Sequence, residues 1–366
     1  MEGLYVHIPF CKTICAYCDF VKEAAKPQKQ RVYVEALKKE LFERSDKFAS
    51  LKTVYIGGGT PSHLEVFDFE EVLRALRKRV PQALDEFSVE CNPEDVRPEL
   101  LETLKKYGVD RISLGVQTFK ESHLRLLNRT HGPKDVENAV KRLRWHGFDN
   151  VNVDMMFAIP GQTLREVEED LARVLALDVE HVSYYSLILE ENTRFHRLYE
   201  RGELSLVDEE TEGTMYETVI DTLSDAGYTH YEISNFAKNG KECRHNLAIW
   251  KDGDYGGVGA GAHGKHDGHR RHNPERVRDY TNALQRGEDC CEIYPYEAKR
   301  DTLLMGLRLL KGIDLDEFAS RFQTDLFKEY PELSKMIEKG LLKVEDRRLS
   351  FTRKGLLLGN EVFMIL

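Results

Sequence analysis

Three cysteines near the N-terminus are the residues of this sequence best placed to do chemistry. The segment runs His7-Ile-Pro-Phe-Cys11-Lys-Thr-Ile-Cys15-Ala-Tyr-Cys18-Asp-Phe. Cysteine thiolates are the usual ligands of iron–sulfur clusters, and gaps of three and two residues let one short loop wrap three corners of a cubane. Three ligands leave one iron with an open position, which a small molecule can occupy.

Two other interpretations of these cysteines stay open at this point. A structural zinc ion normally takes four protein ligands in tetrahedral geometry, and His7 or Asp19 could supply the fourth. The sequence contains no second Cys-x2-Cys pair. The three thiols could also be reduced residues of the core, although three on one loop are unusual there. The remaining four of the seven cysteines show no disulfide pattern: Cys91, Cys243, Cys290 and Cys291.

The bulk properties narrow the class of protein. Hydrophobic residues make up 41% of the chain and charged residues 32%, which is typical of a globular protein. A formal net charge of −10 argues against a nucleic-acid partner. No apolar run approaches the roughly 20 residues that cross a bilayer. The N-terminus lacks the features of a signal peptide, and we therefore expect a cytoplasmic protein.

The first part of the chain alternates β-rich and amphipathic runs, which is the pattern of βα units around a parallel sheet. The predicted strands are Leu4–Ile8, Thr53–Ile56, Glu86–Glu90, Arg111–Val116, Asn150–Met155 and His181–Leu187. The predicted helices between them are Val32–Arg44, Glu70–Arg79, Pro98–Tyr107, Pro133–His146 and Leu164–Leu177. Six units predict an α/β fold, a partial (β/α)6 TIM-like barrel over residues 1–230.

Two further segments follow the predicted barrel. Residues 231–295 are an extension rich in Gly, His and aromatic residues, and within it we expect His263, His266, His269 and His272 to lie on a solvated, Gly-rich loop. Residues 296–366 predict a small helical, winged-helix-like domain with a hairpin formed by Leu341–Val344, a turn at Glu345–Arg348 and Leu349–Thr352. This domain has 13 Lys/Arg and 12 Asp/Glu residues, without the basic stripe of a DNA-binding surface.

Several polar residues stand where predicted strands end. Gly57-Gly58-Gly59-Thr60-Pro61 follows the second strand, and Glu90, Gln117 and Asp154 belong to the ends of the next three. Side chains at the carboxyl ends of barrel strands form the active sites of such folds. A single carboxylate or amide at a strand end is usually a cap for the next helix, but three in successive units favour a shared ligand.

The cysteine spacing, with an aromatic residue before the last cysteine and directly after a first strand, resembles the radical S-adenosylmethionine (SAM) superfamily. The resemblance implies a [4Fe–4S] cluster on Cys11, Cys15 and Cys18, with the methionine part of SAM on the open iron. It implies that cluster chemistry belongs to the cofactor while the protein positions and shields it.

The resemblance also assigns expected roles in SAM binding. Gln117 and Asp154 would bind the ribose hydroxyls, and the glycine run with Gly58, Gly59 and Thr60 would approach the methionine part. Arg129 would pair with the SAM carboxylate through its planar fork, with Glu90 nearby. Tyr17 would lie near the adenine, and Tyr5 would project from the first strand toward the pocket. Arg129 could alternatively be a solvated surface charge.

Over nearly the whole chain the motifs, with Tyr231-Glu-Ile-Ser-Asn-Phe-Ala, resemble the anaerobic coproporphyrinogen III oxidase-like family, a branch that includes the HemW heme chaperones. Three features favour the chaperones. Phe20 stands at the position where the motif typical of the oxidases has a further cysteine. The first predicted strand begins at Leu4, without the N-terminal extension that is typical of the oxidases. The third feature is Cys243-Arg-His245-Asn246-Leu-Ala-Ile249-Trp250, which is similar to the HNxxYW signature of HemW.

By this resemblance His245 is the candidate heme ligand, since neutral imidazole is a common axial ligand of heme iron. Cys243 offers a competing thiolate. Ile249 departs from the tyrosine of the signature, and Trp250 could stack on the macrocycle or simply fill a core.

The hypothesis favoured by the sequence is a heme chaperone that binds heme and transfers it to an acceptor hemoprotein, with a respiratory-chain hemoprotein as one candidate. Membrane contact would arise only through that acceptor. Alternatives are an oxygen-independent coproporphyrinogen III oxidase, a radical SAM enzyme that modifies heme, and a zinc-binding module without SAM. The sequence leaves open whether the protein is an enzyme.

Overall fold

A computed structural model describes residues 1–238 and 240–366. Six parallel strands, β1 to β6, follow one another in sheet order as in the predicted partial barrel. Their bounds are Gly3–Ile8, Thr53–Gly58, Glu86–Cys91, Arg111–Gln117, Val151–Phe157 and His181–Ser186. The α/β architecture expected from the sequence, with six successive parallel strands, is present.

Apolar and polar side chains alternate along these strands, so the sheet has one apolar face and one polar face. The apolar face packs under the helices and is fully buried: Leu4, Val6, Ile8, Val54, Ile56, Val89, Ile112, Leu114, Val116, Val151, Val153 and Val182. The other face lines the barrel interior with polar and aromatic side chains: Tyr5, Thr53, Tyr55, Ser88, Glu90, Arg111, Ser113, Asn152, Asp154, His181 and Ser183. The interior is therefore built to hold polar groups rather than a packed apolar core.

Helices cover the apolar face of the sheet. Those of the barrel, α1 to α8, are Pro27–Glu43, Val66–Arg77, Pro98–Lys106, Glu121–Leu126, Pro133–Trp145, Leu164–Ala176, Arg194–Glu200 and Glu209–Asp225. The five predicted helices are all present. Helix α1 begins five residues before the predicted Val32, because Pro27 suits the first helical turn, where its missing N–H is not needed.

The segment from Thr229 onward, two residues before the predicted boundary at Tyr231, continues the same sheet on both sides of the barrel strands. On one side β8 (Asn235–Ala237) pairs with β6, and β7 (Thr229–Glu232) pairs with β8. On the other side β9 (Tyr255–Val258) lies parallel to β1 and is followed by β10, β11 and β12. These three strands are His263–His266, His269–His272 and Glu292–Pro295.

The expectation that the four spaced histidines lie on a solvated loop is wrong. They form the β10–β11 hairpin, in which His263 pairs with His272 and His266 with His269. Asp267 and Gly268 form its two-residue turn with φ of 55° and 71°, the left-handed conformation that an Asp-Gly hairpin turn requires. The hairpin forms because β9 offers an open sheet edge beside it.

The C-terminal region has its own small core and sheet. Helices α9 and α10 (Arg244–Trp250 and Val277–Arg286) precede α11 to α16, which are Ala298–Gly306, Leu315–Phe322, Leu326–Glu329, Glu332–Glu338, Arg353–Leu357 and Gly359–Phe363. The predicted hairpin is present as β14 (Leu342–Glu345) and β15 (Arg348–Phe351), and β13 (Ile313–Asp314) joins β15. Asp252 anchors this region by bonding Lys265, Thr302 and Arg321 at 2.8, 3.0 and 2.9 Å.

In the described part of the chain, no helix combines the length and the apolar character needed to cross a bilayer.

The buried carboxylate of Glu40 ties the extension to α1. It accepts hydrogen bonds from Gly259 N at 2.8 Å, Tyr280 Oη at 2.6 Å and Asn273 Nδ2 at 2.8 Å, and pairs with Arg44 at 2.9 Å. Replacing one partner of such a buried network leaves the others unsatisfied.

We expect Glu40→Ala to lower the free energy of unfolding by about 3–5 kcal/mol, because Arg44 and the donors around it lose their buried acceptor. Glu35→Ala on the same helix is the control: Glu35 forms only an exposed ion pair with Lys38, and its loss should cost below about 1 kcal/mol. Urea unfolding of both variants measures the difference. Equal midpoints for the two variants would contradict the prediction.

Candidate functional site

The three cysteines lie on the loop between β1 and α1, which closes on itself by backbone bonds. Cys11 N donates to Glu23 O at 3.1 Å, and Glu23 N donates to Pro9 O at 2.6 Å. Ala16 N donates to Leu127 O at 3.0 Å, which fixes the middle of the loop against the segment after α4. All three half-buried thiols line one cavity of about 440 Å³ at the carboxyl ends of the strands.

Neighbouring donors contact two of the thiols directly. Thr60 Oγ1 donates to Cys11 Sγ at 3.7 Å, and Arg129 donates to Cys15 Sγ at 3.6 Å. Burial raises the pKa of Cys11 and of Cys18 to about 11, so both are thiols at neutral pH in the metal-free chain. Binding of iron would displace their protons, as it does for thiolate ligands in general.

At two positions of the Gly57–Gly59 run, a side chain would collide with neighbouring atoms of the protein. Gly58 has a φ of +121°, and a Cβ there would lie 2.7 Å from the His7 ring. A Cβ on Gly59 would lie 2.9 Å from Cys11 Sγ. The run therefore brings backbone against the cysteine loop, which a simple tight turn would not demand.

Glu90 stands at the end of β3 with both carboxylate oxygens bonded. Tyr55 Oη donates to Oε1 at 2.9 Å, and Gly58 N donates to Oε2 at 3.1 Å. Burial, and then the negative charge of Asp154, raise the pKa of Glu90 to about 7. A positively charged ligand group beside this carboxyl would oppose both effects and favour its ionised form.

Arg129 is not a solvated surface charge. Its guanidinium points into the cavity and bonds Asn92 Oδ1 at 2.7 Å and Gly115 O at 2.6 Å, besides the Cys15 sulfur. None of these three partners is a carboxylate, so a ligand carboxylate could replace or share these bonds.

Gln117 and Asp154 line the same cavity. Gln117 ends β4 at a register shift and has a φ of 68°, which departs from the strand conformation where the chain reaches the cavity. Asp154 accepts hydrogen bonds from Ser113 Oγ and Asn152 Nδ2, both at 2.8 Å, and burial raises its pKa. Thr60 and Tyr17 also line the cavity, whereas Tyr5 lies behind Tyr55 in the barrel interior and does not.

The donor set fits the cofactors that the cysteine motif implies. Three thiols and an arginine, a carboxyl pair and an amide share one cavity, which suits a cluster beside a ligand carrying both an ammonium and a carboxylate. Among residues 1–238 and 240–366, no group of three or more His, Cys, Asp or Glu side chains is arranged to hold one metal ion. The thiolates of a cubane bind separate irons and lie farther apart than the ligands of one ion.

Among the lining residues that sequence reasoning missed, two hold side chains of the candidate site. Tyr55 forms part of its wall and orients Glu90, and Asn92 holds Arg129. The alternation of Thr53, Tyr55 and Gly57 along β2 already placed Tyr55 on the inner face. Asn92 follows directly after Glu90-Cys91, but nothing in its local sequence pairs it with Arg129.

His245 and Cys243 lie at the opposite end of the barrel. His245 Nδ1 bonds Thr53 Oγ1, the first residue of β2, at 2.9 Å, whereas the three cysteines lie beyond the other end of that strand, which is Gly58. Five residues of extended strand separate these positions by about 17 Å. The structure therefore does not bring the candidate heme ligands together with the cysteine loop.

Helix α9 closes the barrel floor through Glu86, the first residue of β3. Its carboxylate accepts from Arg244 N at 2.8 Å and His245 N at 3.3 Å, and from Cys243 Sγ at 3.4 Å. His245 is 2% exposed, stacks on Tyr55 with ring centroids 5.4 Å apart, and has a pKa lowered to about 4 by burial. Within the described residues its Nε2 has no hydrogen-bond partner.

The other residues of the His245 segment face the C-terminal region. The Arg308 guanidinium lies over the Trp250 ring at 4.5 Å, and Ile249 borders a small cleft with Tyr296 and Met305. Trp250 is thus already covered on one face by a cation from the neighbouring region.

Comparison with known proteins places the chain in a family. A sequence model described as "Radical SAM superfamily" matches residues 5–174, and one described as "HemN C-terminal domain" matches residues 295–358. A protein named heme chaperone HemW from Bacillus subtilis is 40% identical over 99% of this chain and 98% of its own length. Proteins of the same name from Lactococcus lactis and Mycobacterium tuberculosis are 39% and 32% identical over 99% and 98% of this chain, and over 96% and 93% of their own.

Among solved structures, coproporphyrinogen III oxidase (HemN) from Escherichia coli, described as a radical SAM enzyme, superposes with a TM-score of 0.85. It covers 100% of this chain and 89% of its own, at 22% identity, so the likeness shows a common fold. The fold, the cysteine loop and the extended sequence identity lead to one assignment: the chain belongs to the HemW family of the radical SAM superfamily.

Proposed function

We propose that this protein is a heme chaperone that carries a [4Fe–4S] cluster with SAM at its open iron, and that it binds heme for transfer to an acceptor hemoprotein. Family membership supports the chemical class. The main structural support for heme binding by this chain is that His245 Nε2 is buried and has no hydrogen-bond partner among the described residues.

The cluster half of the proposal rests on the cavity at the strand ends. Cys11, Cys15 and Cys18 hold three irons, and the bound cluster supplies one-electron chemistry toward SAM. Arg129 donates to the SAM carboxylate, while Glu90 and the Gly58 and Gly59 backbone accept from its ammonium. Gln117 and Asp154 bind the ribose hydroxyls, and Tyr17 lies against the adenine. These residues already line one cavity, which supports their acting on one ligand.

Anaerobic reconstitution tests this half. We expect about four iron and four sulfide ions per chain in the wild type, and loss of most of both in Cys18→Ala, because one corner of the cubane loses its thiolate. Cys291→Ala, which removes a thiol outside the cavity, is the matched control and should load fully. One zinc ion per chain, or full loading of a variant lacking all three loop cysteines, would overturn the assignment.

The heme half rests on the chemistry of His245. With its proton on Nδ1, donated to Thr53 Oγ1, the imidazole presents a free lone pair at Nε2, the form in which histidine ligates metals. The low pKa keeps the ring neutral and competent as a ligand across the physiological range. Cys243 is less suited, because burial raises its pKa to about 12 and its thiol is bonded to Glu86.

We expect His245→Ala to weaken heme binding by at least about tenfold, since the iron loses an axial ligand. The Soret band of titrated heme measures the affinity, and added imidazole should restore the band by entering the vacated space. His269→Ala, at an exposed histidine of the β10–β11 hairpin, is the control and should bind like the wild type. Unchanged affinity of His245→Ala removes this residue from the proposal.

Access of heme to His245 requires α9 to leave the barrel floor. Glu86 holds the start of that helix by two backbone bonds and one thiol bond, so it is the main restraint on the opening. A carboxylate accepts such bonds about twice as strongly as a neutral amide.

Glu86→Gln should therefore speed heme association severalfold, as followed by stopped-flow absorbance. Asp85→Asn, at the exposed neighbouring position, should leave the rate unchanged. Thr53→Val, which frees Nδ1 of His245, should act in the same direction as Glu86→Gln. A rate in both Glu86→Gln and Thr53→Val that matches the wild type would show that α9 does not gate the site.

A further inference from the structure

A surface groove between α5 and α6 has a volume of about 720 Å³. Its walls come from Lys141, Arg144 and Trp145 on α5 and from Arg173 and Leu177 on or after α6. None of these residues belongs to the cluster cavity or to the barrel floor.

The floor of the groove is apolar and one wall is an unprotected indole. Phe119 and Val140 are buried beneath the groove, and Leu177 is half-buried at its edge. Trp145 is 89% exposed, so a ring with a large apolar area faces water. Exposed aromatic surface joined to an apolar groove is typical of a binding site.

The walls also carry positive charge. Arg144 is engaged by two bonds of 2.9 Å to Glu180. The side chains of Lys141 and Arg173 are exposed, and among the described residues neither forms a side-chain hydrogen bond or ion pair. The Arg173 guanidinium lies over the Phe119 ring, 5.4 Å from its centroid. Glu137, one helical turn before Lys141, is the carboxylate among the lining residues. On a chain of net charge −10, two cationic side chains beside an apolar floor favour a ligand with carboxylates and a flat apolar body.

The groove opens at the end of the barrel where α9 lies. Trp145 is the last residue of α5, four residues before Asp149, which lies in the segment that leads into β5. The Asp149 carbonyl accepts a bond from Lys241 Nζ at 3.2 Å, and Lys241 is two residues before Cys243. The groove and the segment that carries His245 are thus tied together on one face of the molecule.

We propose that this groove binds a porphyrin, with the macrocycle against Trp145 and the apolar floor and with its carboxylates on Lys141 and Arg173. It is a second tetrapyrrole site, separate from the iron ligand His245, and it rests on the proposed function in heme handling. Its volume lies within the range of roughly 300–1,000 Å³ typical of small-molecule sites.

Metal-free protoporphyrin IX tests the site, because it lacks the iron that His245 would ligate. Its binding to the full chain is followed by fluorescence anisotropy, beside that of its dimethyl ester. We expect Trp145→Ala and the double variant Lys141→Glu/Arg173→Glu each to raise the Kd by about tenfold or more. The ester should bind the wild type less tightly than the free acid, and the double variant should lose this preference.

Two controls locate the effect. Phe67→Ala removes a comparably exposed aromatic residue (65% exposed) from α2 and should change nothing, and His245→Ala should bind metal-free porphyrin like the wild type. Wild-type affinity in both groove variants, no preference for the free acid, or no porphyrin binding at all overturns the groove site. The heme chaperone proposal is judged separately, by the response of the heme Soret band to His245→Ala.

Discussion

The parallel pairing of β1 to β6 determines which residues meet at each end of the barrel. Parallel strands place all their carboxyl ends on one edge, so Cys11, Gly58, Glu90, Gln117 and Asp154 reach one cavity although they are far apart in sequence. Most parallel sheets are apolar on both faces. Here the helices bury one face while the other turns polar groups into the barrel, which makes the interior a site rather than a core.

Burying charged groups in the barrel interior costs free energy. Hydrogen bonds from α9, which closes one end of the barrel, partly offset this cost. Glu86 is buried but satisfied by backbone N–H groups of α9, so its charge needs no direct cation. Arg111 is also buried, and within the described residues its Nε has no partner. Its field acts on Glu90, Asp154 and His245 and opposes the burial that raises the pKa of the two carboxyls. Acidic groups around Arg111, Glu86 among them, raise its pKa in turn, so the buried cation and the buried carboxyls favour each other's charged forms.

Helices and strands with a clear hydrophobic pattern in their own residues could be predicted from the sequence. Alternation and helix periodicity gave β1 to β6 and five helices, because strand and helix patterns differ over a few residues. Helix α8 was missed although Asp208 caps it and Met215, Val219 and Leu223 repeat every four residues. The β10–β11 hairpin was mistaken for a loop although Asp267-Gly268 is a typical hairpin turn. The burial of His245 could not be predicted, since it depends on Glu86 and Thr53, far away in the sequence.

The two ends of the barrel are joined by one side chain. Tyr55 stacks on His245 at the floor and donates to Glu90 in the cavity, and it also stacks on Tyr5 at 6.2 Å. A close-packed interior transmits displacement rather than absorbing it. If α9 opens to expose His245, Tyr55 loses its stacking partner, and the ring that orients Glu90 gains freedom. Loading of the cavity, which fixes Glu90, would in turn hold Tyr55 and with it the floor. Tyr55 therefore contacts a residue from each half of the proposed function, Glu90 in the cavity and His245 at the floor of the barrel.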